Sequence, residues 1–283
     1  MAKSIARAGP SLLRVVKDEF KEERRVKPLT SQGWLRVSAL SSLCAREEVL
    51  AAILDIERHD FIDTDLLLTF NHGHGLHWAL QNRVLSRIEV LFGRWRCKIC
   101  GACYGGVDTD VGNIARPKTC TSNICKDRKE PRDGDDNDFE YQEQFFKSNE
   151  YRIGGHPDGF LRLPDADEEG VLEGKSVSER RSKEIRDVPD FGHVVQLQTY
   201  MWLTGRKWGV ILYWVKGLYR SPFIEHYVER DDETIEKIKE MISGIWYGIK
   251  KGVLPDRICS SPDCNRAEEC SLAEPCFKTT EEL

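Results

Sequence analysis

No run of this 283-residue chain is apolar for long enough to cross a bilayer; stretches such as Trp208–Val215 fall far short of the ~20 residues a spanning helix needs. A basic n-region, an apolar h-region and a cleavage site are missing at the start, so no secretory signal and a cytoplasmic location are expected. Positive charge is not in excess either. The formal net charge is −5, and the global basic signature of a nucleic-acid binder is absent. The exception is local: residues 1–27 carry eight Lys or Arg against four Asp or Glu. The hydrophobic share of 40% and charged share of 31% suit an ordinary soluble globular protein, and the length allows one large domain or two small ones.

Cysteine, by contrast, is plentiful. Ten cysteines in a cytosolic chain are not expected to pair as disulfides. They fall into groups: Cys44 alone, then Cys97, Cys100, Cys103, Cys120 and Cys125, then Cys259, Cys264, Cys270 and Cys276. Short-spaced clusters read as metal ligands. Cys97-Lys-Ile-Cys100-Gly has knuckle spacing, in which one turn brings both thiolates onto one ion. Cys120 and Cys125 supply a second pair, and four thiolates close a tetrahedral zinc site. Cys103 competes as a ligand. Residues 93–126 are too few to bury much core, so a metal would have to hold them. The nearly all-charged stretch 126–140 that follows reads as a mobile linker. The C-terminal four cysteines suit either zinc or an iron–sulfur cluster.

The chain is organised around residues 151–177. Two apolar-alternating runs flank the turn Pro164–Gly170, the pattern of a hairpin. Asp158 falls on its first strand. Glu173 and Lys175 fall on the second, two apart and therefore on one face. Carboxylate oxygens suit Mg²⁺ or Mn²⁺. Such an ion can activate water and neutralise charge on a phosphate, with a lysine beside it to orient that water.

Around the hairpin, the patterning predicts a helix over 11–27 and one capped by Ser41 or Ser42 that runs to about Ile56, with Cys44 in its first turn. A helix carrying Leu76, Leu80, Val84, Ile88 and Leu91 places His77 at its start and leaves His72 and His74 in a loop. Residues 176–190 read as a loop whose Arg180, Arg181, Lys183 and Arg186 could meet phosphates. Helix 193–203 carries Gln196 and Tyr200 on one face. Strands at 208–215 and 222–229 and an amphipathic helix at 231–252 complete the reading.

In this order the pieces resemble the PD-(D/E)XK nuclease superfamily, through Pro157-Asp158 and Glu173-Gly174-Lys175. They look most like its RecB-type branch, which adds Gly-x-x-x-His, matched by Gly73 to His77, and Gln-x-x-x-Tyr, matched by Gln196 to Tyr200. Within that branch, Val37-Ser-Ala-Leu-Ser-Ser-Leu-Cys44-Ala-Arg46 and the cysteine tail resemble the iron–sulfur exonucleases, CRISPR-associated (Cas-four-like) and phage-encoded. The resemblance covers roughly residues 34–92 and 139–277. It implies an α/β fold, a mixed central sheet flanked by helices. His77, Asp158, Glu173 and the Gly174 carbonyl would bind Mg²⁺ or Mn²⁺, Lys175 would position the attacking water, and Gln196 and Tyr200 would orient the site and the strand. A [4Fe–4S] cluster would sit on Cys44, Cys264, Cys270 and Cys276. The family spaces its last three cysteines more closely than this tail does, so Cys259 stands in reserve for Cys264. The simple family pattern also lacks the cysteine-rich insertion.

The implied organisation is a basic helical segment (1–33), a nuclease core (34–92 and 139–254), a zinc-binding insertion with its linker (93–138) and an iron–sulfur tail (255–283). The implied activity is exonucleolytic hydrolysis of DNA, on single-stranded or free ends. The alternative is an accessory end-processing or DNA-binding protein working with a recombination or CRISPR partner, such as in spacer acquisition. A homo-oligomer is open, and no membrane partner is implied.

Overall fold

The computed structural model describes residues 24–26, 34–56, 59–61, 64–125, 138–268 and 270–278. The N-terminal half runs β1 (Arg24–Val26), β2 (Leu35–Arg36), α1 (Ala45–Ile53), β3 (His59–Phe61), α2 (Thr64–Ala79), β4 (Leu91–Phe92), β5 (Arg94–Cys97), β6 (Cys103–Tyr104) and β7 (Phe139–Gln142). It continues with β8 (Phe146–Ser148), β9 (Ile153–Gly155), β10 (Gly159–Leu161), β11 (Gly170–Val177), α3 (Glu179–Glu184), α4 (Phe191–Thr204), β12 (Trp208–Val215), β13 (Phe223–Glu229) and α5 (Asp232–Lys251). The tail holds α6 (Asn265–Glu268) and α7 (Ala273–Phe277).

The fold is mixed α/β. The main sheet has the order β13-β12-β11-β10-β4; only β11 and β12 pair in parallel, and α3 and α4 make the crossover between them. β12 is rich in aromatic and β-branched residues and buries both faces, as a central strand must. Alternation along the strands divides the molecule into two cores. Val171, Ile211, Tyr213 and Val215 face Leu197 and Met201 of α4 and Ile238, Ile242 and Ile245 of α5. Leu172 and Val210 point the other way, onto Leu80, Leu85, Leu91, Trp95, Phe139 and Tyr141. The β5 sheet belongs to this second core, and Cys97 and Cys125 are buried in it.

Local chemistry sets the helix ends. Asp231 caps α5 by accepting the Glu233 N–H, and Gly252, at φ 69°, closes it in the left-handed region. Asp190 caps α4 through the Gly192 N–H. The absence of a side chain at Gly192 also matters. A Cβ there would stand 2.6 Å from the backbone oxygen of Ser41, so α4 seats directly on the 3-10 turn Val37–Ser42. Gly192→Ala is expected to lower stability by about 1–3 kcal/mol, read as a fall in denaturant midpoint. An unchanged midpoint would mean that the turn yields freely.

Several sequence expectations change. The predicted helix over 11–27 lies outside the described residues except for Arg24–Val26, which is a strand paired with His59–Phe61. Cys44, with extended backbone, is the N-cap of α1 rather than a first-turn residue, because Val37–Ser42 is already wound as a 3-10 helix. His72 and His74 lie on α2, which begins at Thr64, and His77 is in its last turn. Gly73 and Gly75 are spanned by the same helix. Residues 179–184 of the expected loop form α3, capped by the Ser178 side chain. The linker residues 126–137 lie outside the described residues.

Candidate active site

The β10–β11 register builds the site. Gly159 pairs with Leu172, so one step along the same ladder sets Asp158, in the break after β9, opposite Glu173. Glu173 shares a strand face with Val171 and so points toward α4, where Gln196 and Tyr200 lie one turn apart. The end of α2 brings His77. These residues line one cleft of about 890 Å³, together with Glu143, Gln81, His74 and Trp78. His72 is exposed and does not line it.

Asp158 is held on three sides. Its Oδ2 accepts the Gly174 N–H at 2.6 Å, its Oδ1 lies 3.5 Å from His77 Nδ1, and its backbone oxygen accepts from Gln81 Nε2 at 2.8 Å. Glu173 is only 2% exposed. Its Oε1 lies 2.6 Å from Lys175 Nζ, while Oε2 is buried without a hydrogen-bond partner. Burial, then the Asp158 charge, push the Glu173 carboxyl up to about 8. Lys175 Nζ also donates to Gln196 Oε1 at 3.0 Å. Burial pulls the Lys175 ammonium down, but Glu173 and Asp158 outweigh it and leave it raised. Both members of the pair therefore hold their protons more tightly than usual; on the carboxylate, burial outweighs the neighbouring cation. His77 is also raised: burial opposes its charge, and the bond to Asp158 and the two carboxylates overcome that. Burial and the same carboxylates keep the Tyr200 phenol protonated.

Such a donor set fits a hard divalent cation. An orphaned, fully buried carboxylate oxygen beside a second carboxylate is a costly arrangement that a cation would relieve.

Glu143 and Gln81 were not singled out from the sequence. Gln81 Nε2 donates to Glu143 Oε1 at 2.9 Å as well as to the Asp158 backbone. Burial, then Asp158, raise the Glu143 carboxyl. Gln81 lies one turn beyond His77, a spacing that could have revealed it. Glu143 falls just past β7 with no neighbouring motif, so nothing in the chain announced it.

The insertion forms a second centre. The sulfurs of Cys97, Cys100, Cys120 and Cys125 all lie within 4.8 Å of one another, with Cys97–Cys125 at 3.9 Å and Cys100–Cys120 at 3.5 Å. Four sulfurs each ~2.3 Å from one tetrahedral ion stand ~3.8 Å apart, which these distances match. Cys103 is exposed and outside the group. The Tyr104 hydroxyl lies 3.0 Å from Cys120 Sγ and accepts the Thr121 and Ser122 N–H groups, fixing the second pair.

In the tail, Cys44, Cys259, Cys270 and Cys276 line a separate cavity of about 290 Å³. Cys264 does not line it; its thiol is in hydrogen-bond contact with Cys259. Arg46 ties α1 to the tail through the Pro255 oxygen at 2.7 Å and the Cys276 oxygen at 3.4 Å, and Arg257 Nε donates to the same Cys276 oxygen at 2.9 Å. Among the described residues, the insertion's four are the one group of three or more His, Cys, Asp or Glu ligand atoms within 4.8 Å of one another; the tail thiols, and likewise His77, Asp158 and Glu173 together, are set wider than that.

No protein-family model matches the chain, and no curated protein matches it. Solved structures similar to it include an alkaline exonuclease, LHK-Exo, from Laribacter hongkongensis: 15% identity over 85% of this chain and 94% of that one, TM-score 0.44. LHK-Exo in complex with dAMP gives 14% identity, 78% and 90% coverage and a TM-score of 0.45. A phage-related exonuclease from Haemophilus somnus 129PT gives 16%, 39% and 59%, and 0.28. All three scores lie below 0.5, too low to establish a common fold. No helix among the described residues is long and apolar enough to cross a membrane.

Proposed function

We propose that this chain is a metal-dependent deoxyribonuclease of the RecB-type PD-(D/E)XK kind, an exonuclease acting on single-stranded or free DNA ends. What supports the reading is the meeting of Asp158, Glu173 and Lys175 in one cleft with His77, Gln196 and Tyr200, contributed by separate elements. His77, Asp158, Glu173 and the Gly174 carbonyl would hold Mg²⁺ or Mn²⁺, which when bound supplies Lewis-acid polarisation of a phosphoryl oxygen and of water. The chain's own groups do the positioning. Lys175 Nζ, anchored on Glu173 and Gln196, keeps a third proton for the attacking water or for a phosphoryl oxygen on which charge develops. The protonated Tyr200 hydroxyl is a donor for the strand. Gln81 fixes Asp158 and Glu143 relative to one another.

The insertion is a structural zinc site on Cys97, Cys100, Cys120 and Cys125. The tail holds an iron–sulfur cluster on Cys44, Cys270 and Cys276, with Cys259 as the fourth thiolate because it shares their cavity. The nuclease core comprises 34–92 and 139–254, with 93–138 inserted and 255–283 as the tail.

The test is digestion of end-labelled linear single strands and duplexes beside a closed circle, with Mg²⁺ or Mn²⁺ and with chelator. Linear DNA should shorten only with metal and the circle should persist. Asp158→Ala should be slower by roughly 10³-fold or more with an unchanged circular dichroism spectrum. Full activity in that variant, or cutting of the circle, overturns the reading.

A further inference from the structure

Beside the cleft lies a group of cations that the catalytic reading does not use. Trp78 is part of the cleft wall, and the Arg83 guanidinium lies 5.4 Å from its ring centroid. Arg87 follows one turn later and is exposed. Arg116 arrives from the cysteine-rich insertion, where its Nη1 donates to the Asn82 oxygen at 3.4 Å and to Ser86 Oγ at 3.1 Å. The insertion thus lays a third guanidinium on the turn that already carries two. The charges Arg116 feels are Arg87, Arg83 and Glu89, two like and one opposite; after burial, the two arginines add to the pull on its pKa. Glu140 accepts from Trp78 Nε1 at 3.3 Å and from Arg96 at 3.2 Å. Like charges repel, and this protein, acidic overall, sets these three arginines on the turn that follows Trp78 of the cleft wall.

We propose that Arg83, Arg87 and Arg116 form a track for the phosphate backbone of the nucleic acid whose end enters the cleft, with Trp78 as the stacking surface between track and site. The proposal rests on the nuclease reading of that cleft. Planar guanidinium forks suit phosphates, and aromatic faces suit unpaired bases. Continuity with the cleft through an aromatic ring favours nucleic acid over an acidic protein. The insertion then has a task besides holding zinc: it delivers Arg116.

The test is binding of a fluorescein-labelled single strand of about 30 nucleotides, by anisotropy across a salt series, to the full-length Asp158→Ala protein. Adding Arg83→Gln, Arg87→Gln and Arg116→Gln together should weaken binding at least tenfold at low salt and reduce the slope of log affinity against log salt by about 2 (~0.7 per phosphate contact). The corresponding Lys replacements should retain most of the slope. If the triple Gln protein melts abnormally, Arg87→Gln alone, at an exposed position, should still lower the slope by about 0.7. Unchanged affinity and slope in natively melting Gln variants overturns the track. Lys variants that lose as much as Gln variants also overturn it, since that would mark a structural role. A wild type that binds with the full slope but never cleaves DNA removes the nuclease reading and leaves the track standing.

Discussion

Glu173→Gln is expected to end cleavage and, separately, to flatten the dependence of stability on pH. On the proposed reading, the activity loss follows from removing a carboxylate from the proposed cation-binding set, and should be roughly 10³-fold or more. The stability effect follows from burial. In the folded, metal-free protein the Glu173 carboxyl titrates near 8, against an ordinary value of 4.5. Below about pH 4.5 the group is protonated in both states and costs nothing. As pH rises from there toward 8 the unfolded chain ionises and the folded one resists, so stability falls through that window, by an amount on the order of a few kcal/mol. Glutamine keeps an acceptor for Lys175 and removes the titration. Melting curves at pH 5, 6.5 and 8 without added divalent cation (roughly spanning that window) should slope downward for wild type and much less for the variant. Added Mn²⁺ should raise the wild-type melting temperature and leave the variant unmoved, because only the wild type offers the orphaned Oε2. Parallel pH curves for the two proteins would refute this account of Glu173.

Cys125→Ala should have the largest effect on stability. Cys125 and Cys97 are buried in the second core beside Trp95, Phe139 and Tyr141, so their metal would brace the packing behind β10 and β11 as well as the loop. Burial, then neighbouring thiols, hold the Cys125 thiol up to about 12, whereas the Ala102 N–H and then Ser122 draw Cys100 down to about 6. One cysteine is thus a ready thiolate, and another would have to be deprotonated by the metal that the proposal places there. The wild type should contain one zinc per chain and the variant none, with a melting temperature lower by about ten degrees or more. Iron content should stay unchanged, because the tail cavity is separate. Zinc-free wild type with the same melting temperature as loaded protein would sink the structural role.

Much of this molecule was legible in its residues because the relevant chemistry is local. The α5 stripe at Ile235, Ile238, Ile242 and Ile245 is buried as its spacing requires, with Asp231 and Gly252 at its ends. Glu173 and Lys175 share a face because strands repeat every two residues, and Gln196 and Tyr200 share one because helices repeat every 3.6. The errors were also local. His72 and His74 read as loop residues ahead of a helix starting near His77, yet α2 runs from Thr64 through both and through Gly73 and Gly75, since packing can outweigh the ~1 kcal/mol that a glycine costs a helix.

What the residues alone settled was thus the periodic frame: strands, helices, and short-range pairs of cysteines and charges. Only the tertiary structure decided which distant groups meet. It brought Gln81 to Glu143 and to the Asp158 backbone across about 60 and 77 residues of chain. It set Cys259 rather than Cys264 on the wall with Cys44, and it laid Arg116 of the insertion beside Arg83 and Arg87. Those meetings depend on how sheets and helices stack, a long-range balance of burial against chain entropy that no short spacing encodes.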